Sequence, residues 1–291
     1  MSFNLHIPQT LVGAALAVTA LSGHAVTLVG LTSSNEVALI DTANIAGATR
    51  TAITGLAIGE RFVGIDLRPT TNTIYGVTTG NNIYTLNQAT GAATFVKALS
   101  SAVINPSLGY GIDFNPVNDY GGTLASLRLI SSAGNNYGIN VATGAVGNAA
   151  SNIGAGFSGA AYTNSSTTGA PASTGLYYIN SSTDTLSFAP SAFNAPTISL
   201  VGSLGIDVLK ANGFEVLPNG QAYAGFTVDD GVLTTGIYGV DLATGAATSL
   251  GTFNGTLNGL TVAAVPEPET YALMMAGLGI VGFMAKRRKS V

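Results

Sequence analysis

Three acids sit at one offset in three separated stretches of the chain. Asp66 lies in FVGIDLRP (62–69), Asp113 in GYGIDFNP (109–116) and Glu215 in NGFEVLPNG (212–220), each two residues after a glycine. Equivalent positions in repeated segments bring side chains to equivalent places in a fold. Two carboxylates facing one cavity are what glycoside hydrolysis requires, one as acid and the other as nucleophile or base. The same pattern suits a plainer task, because an acid inherited with a repeat commonly accepts backbone N–H bonds. The enzymatic reading requires the three acids to meet in one accessible cavity, and the structural reading requires them to face backbone donors.

Other chemistry is thinly supplied. The chain has no cysteine, and its two histidines, His6 and His24, fall in an N-terminal segment expected to be removed. Without them the mature chain lacks a Ser-His-Asp triad, a thiol nucleophile and the usual zinc ligands. No Gly-rich phosphate loop stands between a strand and a helix. TTGNN, SSAGNN and TVDDG read as turns. No cofactor or metal is expected. Calcium is a lesser option, through Asp113, Asn115, Asn118 and Asp119 or through Asp229 and Asp230, although the EF-hand pattern is missing. Arg68 and Arg128, two of the four arginines of the body, are expected to pair with nearby aspartates.

The elements that position these residues follow from composition and repetition. Charged residues are only 8% of the 291, hydrophobic ones 46%, and there are 38 glycines. This suits many short strands joined by tight turns. Residues 26–265 hold 12 acids and 6 bases, a net charge of −6. With no cluster of bases, the body is not expected to bind nucleic acid. A hairpin phrase recurs as NIYTLNQATGAATFV (82–96), NYGINVATGAVGN (136–148), GLYYINSSTDTLSFA (175–189) and GIYGVDLATGAATSL (236–250), with a worn copy at 35–53. Gly91, Gly144 and Gly245 supply the positive φ of its turn. A second phrase precedes each hairpin and carries Gly64, Gly111, Gly159, Gly213 and Gly259, spaced by 47, 48, 54 and 46 residues.

A period of this size with about four strands per unit indicates propeller blades. The glycine phrase is then each blade's innermost strand, where strands crowd the axis. The final strand, Leu257–Ala264, lacks three partners. The initial strands, Val26–Thr32, Glu36–Asp41 and Arg50–Ile53, lack an innermost one. The expectation is therefore an all-β, five-bladed propeller over 26–264, closed by joining strands from both ends. A β-sandwich or solenoid is the competing architecture. Three acids from separate blades resemble the arrangement in some glycosidases that share this architecture, a likeness of fold alone.

Both ends read as addresses. Leu11–Leu21 is an apolar run followed by small residues Gly23 and Ala25, so residues 1–25 are expected to be a signal peptide cleaved by signal peptidase. At the other end come Pro266, Glu267 and Pro268, then the apolar run Tyr271–Ala285, then Lys286, Arg287, Arg288 and Lys289. The run is short for a spanning helix, and the bases suit a stop on the cytoplasmic side. A plain membrane anchor is the simpler alternative. The tail, residues 265–291, resembles the PEP-CTERM sorting signal of Gram-negative bacteria. That resemblance implies a transmembrane segment at 271–285, passage through the inner membrane, recognition by an exosortase, and a place at the cell surface or in the extracellular matrix of polysaccharide-producing bacteria.

A further resemblance lies in 109–141. Asp113, Phe114, Asn115, Pro116 and Asp119, followed by Leu127-Arg128-Leu129 and an Asn-rich turn, are similar to a bacterial family known only as a domain of unknown function. Here YGGTLAS is inserted before the second strand, and the first arginine of the usual pair is missing. The resemblance implies no activity. The expected function is a non-catalytic binding or structural propeller, exported and associated with exopolysaccharide or other matrix components. Its nearly uncharged polar surface suits neutral glycans. The alternative is a glycoside hydrolase or lyase using Asp66, Asp113 and Glu215.

Overall fold

The structure is a computed structural model that describes residues 25–122, 126–228 and 233–264. Most of the expected signal peptide, the sorting motif, the segment 271–285, the terminal bases, and Asp229 and Asp230 lie outside the described residues. Among the described residues no helix is long and apolar enough to cross a membrane.

The chain begins with three antiparallel strands, β1 (Thr27–Thr32), β2 (Glu36–Asp41) and β3 (Asn44–Ala52). The first blade follows as β4 (Phe62–Arg68), β5 (Thr73–Thr78), β6 (Asn82–Leu86) and β7 (Ala93–Ala98). The second is β8 (Tyr110–Phe114), a short helix α1 (Pro116–Tyr120), β9 (Leu127–Ser131), β10 (Asn136–Ile139) and β11 (Val146–Gly147). The third is β12 (Phe157–Tyr162), β13 (Leu176–Asn180), β14 (Thr185–Ala189) and β15 (Ser199–Ser203). The fourth is β16 (Val208–Val216), β17 (Ala222–Val228), β18 (Thr235–Val240) and β19 (Ala247–Thr252). The last strand, β20 (Leu257–Val262), lies beside the first, so the fifth sheet runs β20-β1-β2-β3. Its register pairs Gly30 with Leu260 and Leu28 with Val262. The described residues thus form an all-β propeller of five four-stranded sheets.

The glycine phrase forms the end strand of every sheet, and these five strands pack against one another: β4 on β8 and β20, β12 on β8 and β16, and β16 on β20. The glycines allow this approach. A Cβ on Gly111 would meet the backbone of Gly159 and Ala160 on the neighbouring inner strand. One on Gly213, at φ 122°, would collide with the backbone of Leu260. Between neighbouring sheets lie five apolar clusters, for example Val29, Leu31 and Val37 against Phe62 and Ile65, or Leu28 and Ile40 against Tyr223 and Ile237. Each sheet therefore buries both faces, and burial of apolar area is the main force holding the ring of blades together.

The hairpin turns repeat one device. Asn87, Asn140 and Asp241 each accept two backbone N–H bonds from residues two and three further on. The glycine that follows, Gly91, Gly144 or Gly245, takes a positive φ of 71°, 75° or 87°. In the hairpin without that glycine, Asp184 adopts φ 53° in the same role. One local expectation needs correction. The third strand begins at Asn44, not Arg50, because an outermost strand open to solvent carries little apolar alternation. Helix α1 follows β8 directly: Asn115 caps it by accepting the Asn118 N–H at 3.0 Å, and Pro116 takes the first-turn position.

Candidate functional site

The inner strands carry Asp66, Asp113 and Glu215 to the centre of the ring. One carboxylate oxygen from each lies within 4.8 Å of the others, and all three residues are buried. The same offset from the glycine places Thr261 on β20 and Ala161 on β12 at the two remaining positions. That signal is readable in the repeat, although a threonine and an alanine suggest no chemistry by themselves.

These side chains link the blades in a cycle. Asp66 Oδ2 accepts the Phe114 N–H of the next inner strand at 2.8 Å. Asp113 Oδ1 accepts the Tyr162 N–H at 3.1 Å. Glu215 Oε2 accepts the Val262 N–H at 3.2 Å, and Thr261 Oγ1 accepts the Leu67 N–H at 3.1 Å. The backbone donor is always the residue three after the marker glycine. Ala161 has no side-chain acceptor and interrupts the cycle.

Electrostatics favour protons in this cluster. Burial pushes Asp66 and Asp113 well above the ordinary carboxylate range, and the neighbouring acids add to it. Burial also raises Glu215, against the hydrogen bonds from Thr261 and Val262. Proton counting agrees. The Thr261 hydroxyl has one proton, yet its oxygen lies 2.9 Å from Asp66 Oδ1 and 2.7 Å from Glu215 Oε2. One contact uses the hydroxyl proton, and the other needs a proton on the carboxyl. At least one of the two acids is therefore neutral.

The three acids are the one group of described acidic residues whose oxygens could converge on a cation. The loop set considered for calcium does not converge. Asp113 turns to the axis and Asn115 caps α1. Asp119 is filled by Arg68 Nε at 2.7 Å, Thr70 Oγ1 at 2.6 Å, Thr70 N at 3.1 Å and Ser126 Oγ at 3.1 Å. Arg68 thus pairs with an aspartate as expected. Arg128 does not, and its contacts are with neutral oxygens of Tyr162, Asn136 and Asn194. Of the other motif residues, Phe114 is wholly buried and stacks edge-on against Tyr75 at 5.7 Å.

Access to the acids is poor. Asp66, Asp113 and Glu215 are 5%, 1% and 3% exposed. A cavity of about 270 Å³ opens where the inner strands begin, lined by Phe62, Tyr110, Ala211 and Asn258. The acids lie further along those strands and are not among its lining residues. A second cavity, of about 570 Å³, lies beside α1 and is lined by Asn115, Arg128, Phe193 and Asn194 among others.

Several solved structures are similar to the chain at low identity. They include the calcium-binding protein regucalcin from Agrobacterium tumefaciens (13% identity, TM-score 0.42, 74% of this chain and 66% of that one). A protein provisionally named TolB from the same organism matches at 13% identity and TM-score 0.46, over 83% of this chain and 87% of that one. A structural genomics protein of unknown function from Bacteroides thetaiotaomicron matches at 12% and 0.45, over 77% and 57%. The chain thus spans just under two thirds of the regucalcin chain. No curated protein matches the sequence. Residues 264–289 match the PEP-CTERM protein-sorting motif, which targets a chain to export and exosortase processing. Residues 24–262 match the family model described as a domain of unknown function, DUF4394, and since that span is most of the chain, the protein belongs to this family.

Proposed function

We propose that this protein is a non-catalytic binding or structural propeller, exported, processed at its tail, and associated with extracellular polysaccharide at the cell surface or in the matrix. The observation that carries this reading is the sorting motif at 264–289 directly after a propeller body. The axial acids fit it as structural groups. Asp66, Asp113 and Glu215 each spend an oxygen on a backbone N–H of the next blade. A general acid and base for glycoside cleavage would instead have to face substrate. In this reading the ring is closed by the chain's own ends, which the register of β1 against β20 supports. Closure removes exposed sheet edges, a useful property outside the cell where no cysteine is present to staple the fold.

The test is retention of the host's exopolysaccharide by the processed protein in a pull-down, alongside hydrolysis assays on the same polymer. The expected result is binding without cleavage. Cleavage that is lost in Asp66→Asn or Glu215→Gln would establish the enzymatic alternative.

A further inference from the structure

A guanidinium buried without a carboxylate is costly to keep. Arg128 is 4% exposed, yet the ion pairs among the described residues are Arg50 with Glu36 and Arg68 with Asp119. Asp113 stands directly across the ladder from Arg128, but its carboxyl takes the Tyr162 N–H, and burial holds it toward the neutral form. Arg128 donates from Nε to Tyr162 Oη at 3.3 Å, from Nη1 to Asn136 Oδ1 at 3.0 Å and from Nη2 to Asn194 Oδ1 at 2.9 Å. These account for three of its five N–H groups. One N–H on each terminal nitrogen remains without a partner among the described residues.

The same side chain lines the cavity of about 570 Å³ between the second and third blades. This volume is within the usual range for a small-molecule site. The cavity wall is held in place. Asn136 Nδ2 donates to Phe193 O at 3.0 Å, and Asn148 Nδ2 to Asn194 O at 2.7 Å, so the loop 190–195 of the third blade is tied to the second. Asn118, Ser173, Thr174 and Ser191 supply hydroxyls and amides around the opening, and Phe193 supplies a ring. Among the described residues no lysine, second arginine or acid lines it.

We propose that this cavity binds a carboxylated sugar of the uronate type, its carboxylate held by the two remaining N–H groups of Arg128. Two oxygens matched to two donors suit a carboxylate. A single cation suits one negative charge better than the near-double charge of a phosphate ester. The polar rim suits sugar hydroxyls. The proposal rests on the reading of the propeller as a polysaccharide-associated binder and replaces the expectation of purely neutral ligands at this site.

Calorimetric titration of the full-length chain with glucuronate, glucose and acetate tests it. Glucuronate should bind at least about tenfold more tightly than glucose or acetate, a difference near 1.4 kcal/mol. Arg128→Met should remove that preference. Ala172→Trp, on the exposed rim of the cavity and away from the Arg128 contacts, should block binding without touching the guanidinium. Equal affinity for glucose, equal affinity for acetate, or glucuronate binding unchanged by Ala172→Trp would each overturn the site. If the protein retains the host polysaccharide but ignores glucuronate, the site falls and the broader reading stands. If both fail, the broader reading falls too.

Discussion

Asp66 on the first blade accepts the Phe114 N–H of the second at 2.8 Å, and this bond crosses from one inner strand to the next. Both residues are buried, so the bond is made away from water. Removing the acceptor would strand a buried donor, which costs about 1–3 kcal/mol. Asp66→Ala should therefore lower unfolding stability by that amount, read from urea midpoints at constant m-value. Asp66→Asn keeps an acceptor oxygen and should lose less. Equal stability of Asp66→Ala and wild type would show that the inter-blade bond contributes nothing.

The raised acids make stability depend on pH in an unusual direction. A carboxyl whose folded pKa exceeds its unfolded one binds more protons in the folded state, so stability falls as pH rises. For Asp66, Asp113 and Glu215 the folded values lie above the ordinary 3.8–4.5. Their contribution is complete below that range and is lost as pH climbs through the folded values. A tenfold difference in proton affinity between the folded and unfolded chain corresponds to about 1.4 kcal/mol. Asp241 works in the opposite sense, being lowered by the Ala243 and Thr244 N–H groups, but it is fully exposed. The thermal midpoint should be higher at pH 5 than at pH 8, and Glu215→Gln should flatten the profile. A midpoint that rises steadily from pH 5 to pH 8 would contradict the assignment.

The inner strands were legible because crowding at an axis leaves a mark that survives divergence: a Cβ on Gly111 or Gly213 would meet the backbone of the next inner strand and one on Gly64 the Ile112 side chain, while Gly159 is tight and Gly259 makes only ordinary contacts. The hairpins were legible through their repeated alternation and the turn glycines Gly91, Gly144 and Gly245, which take a positive φ. Strand β3 was blurred because its residues mostly face solvent. Helix α1 has five residues, too few for helical periodicity to register. Within the site, the convergence of the acids followed from their common offset, but their partners did not, because a backbone donor has no signature in side-chain identity. The partners of Arg128 escape the sequence for a related reason: arginine ordinarily reads as a surface or ion-paired residue, and the neutral acceptors Asn136 and Asn194 lie 8 and 66 residues away.

The glycine argument can be tested with a matched pair. Gly213 has φ 122° and faces the Leu260 backbone, whereas a Cβ on Gly239 would meet nothing within 4 Å. Gly213→Ala should destabilise by more than about 1–2 kcal/mol, the cost of an unfavourable φ before the clash is added. Gly239→Ala should fall within about 0.5 kcal/mol of wild type. Indistinguishable unfolding midpoints for the two variants would sink the claim that the inner glycines are required for close approach.

The tail should act in transit and then be lost. Ala264, the last described residue, is clamped to the first blade by Gln88: its N–H donates to Gln88 Oε1 at 2.8 Å, and its carbonyl accepts from Gln88 Nε2 at 3.0 Å. The propeller therefore ends at a fixed point, and the sorting motif begins at the adjoining residues. Its apolar run, Tyr271–Ala285, has 15 residues, fewer than the roughly 20 that suit a lasting transmembrane helix. A segment that enters the membrane and is then cut away tolerates that mismatch better than a permanent anchor. Mass spectrometry of protein recovered from the cell exterior should find chains lacking Lys286–Lys289. Changing Pro266, Glu267 and Pro268 together to alanine should leave the propeller folded, since it alters nothing before Val265, while the protein accumulates in the inner-membrane fraction. Exterior protein that still carries the four terminal bases would show the tail to be an anchor instead.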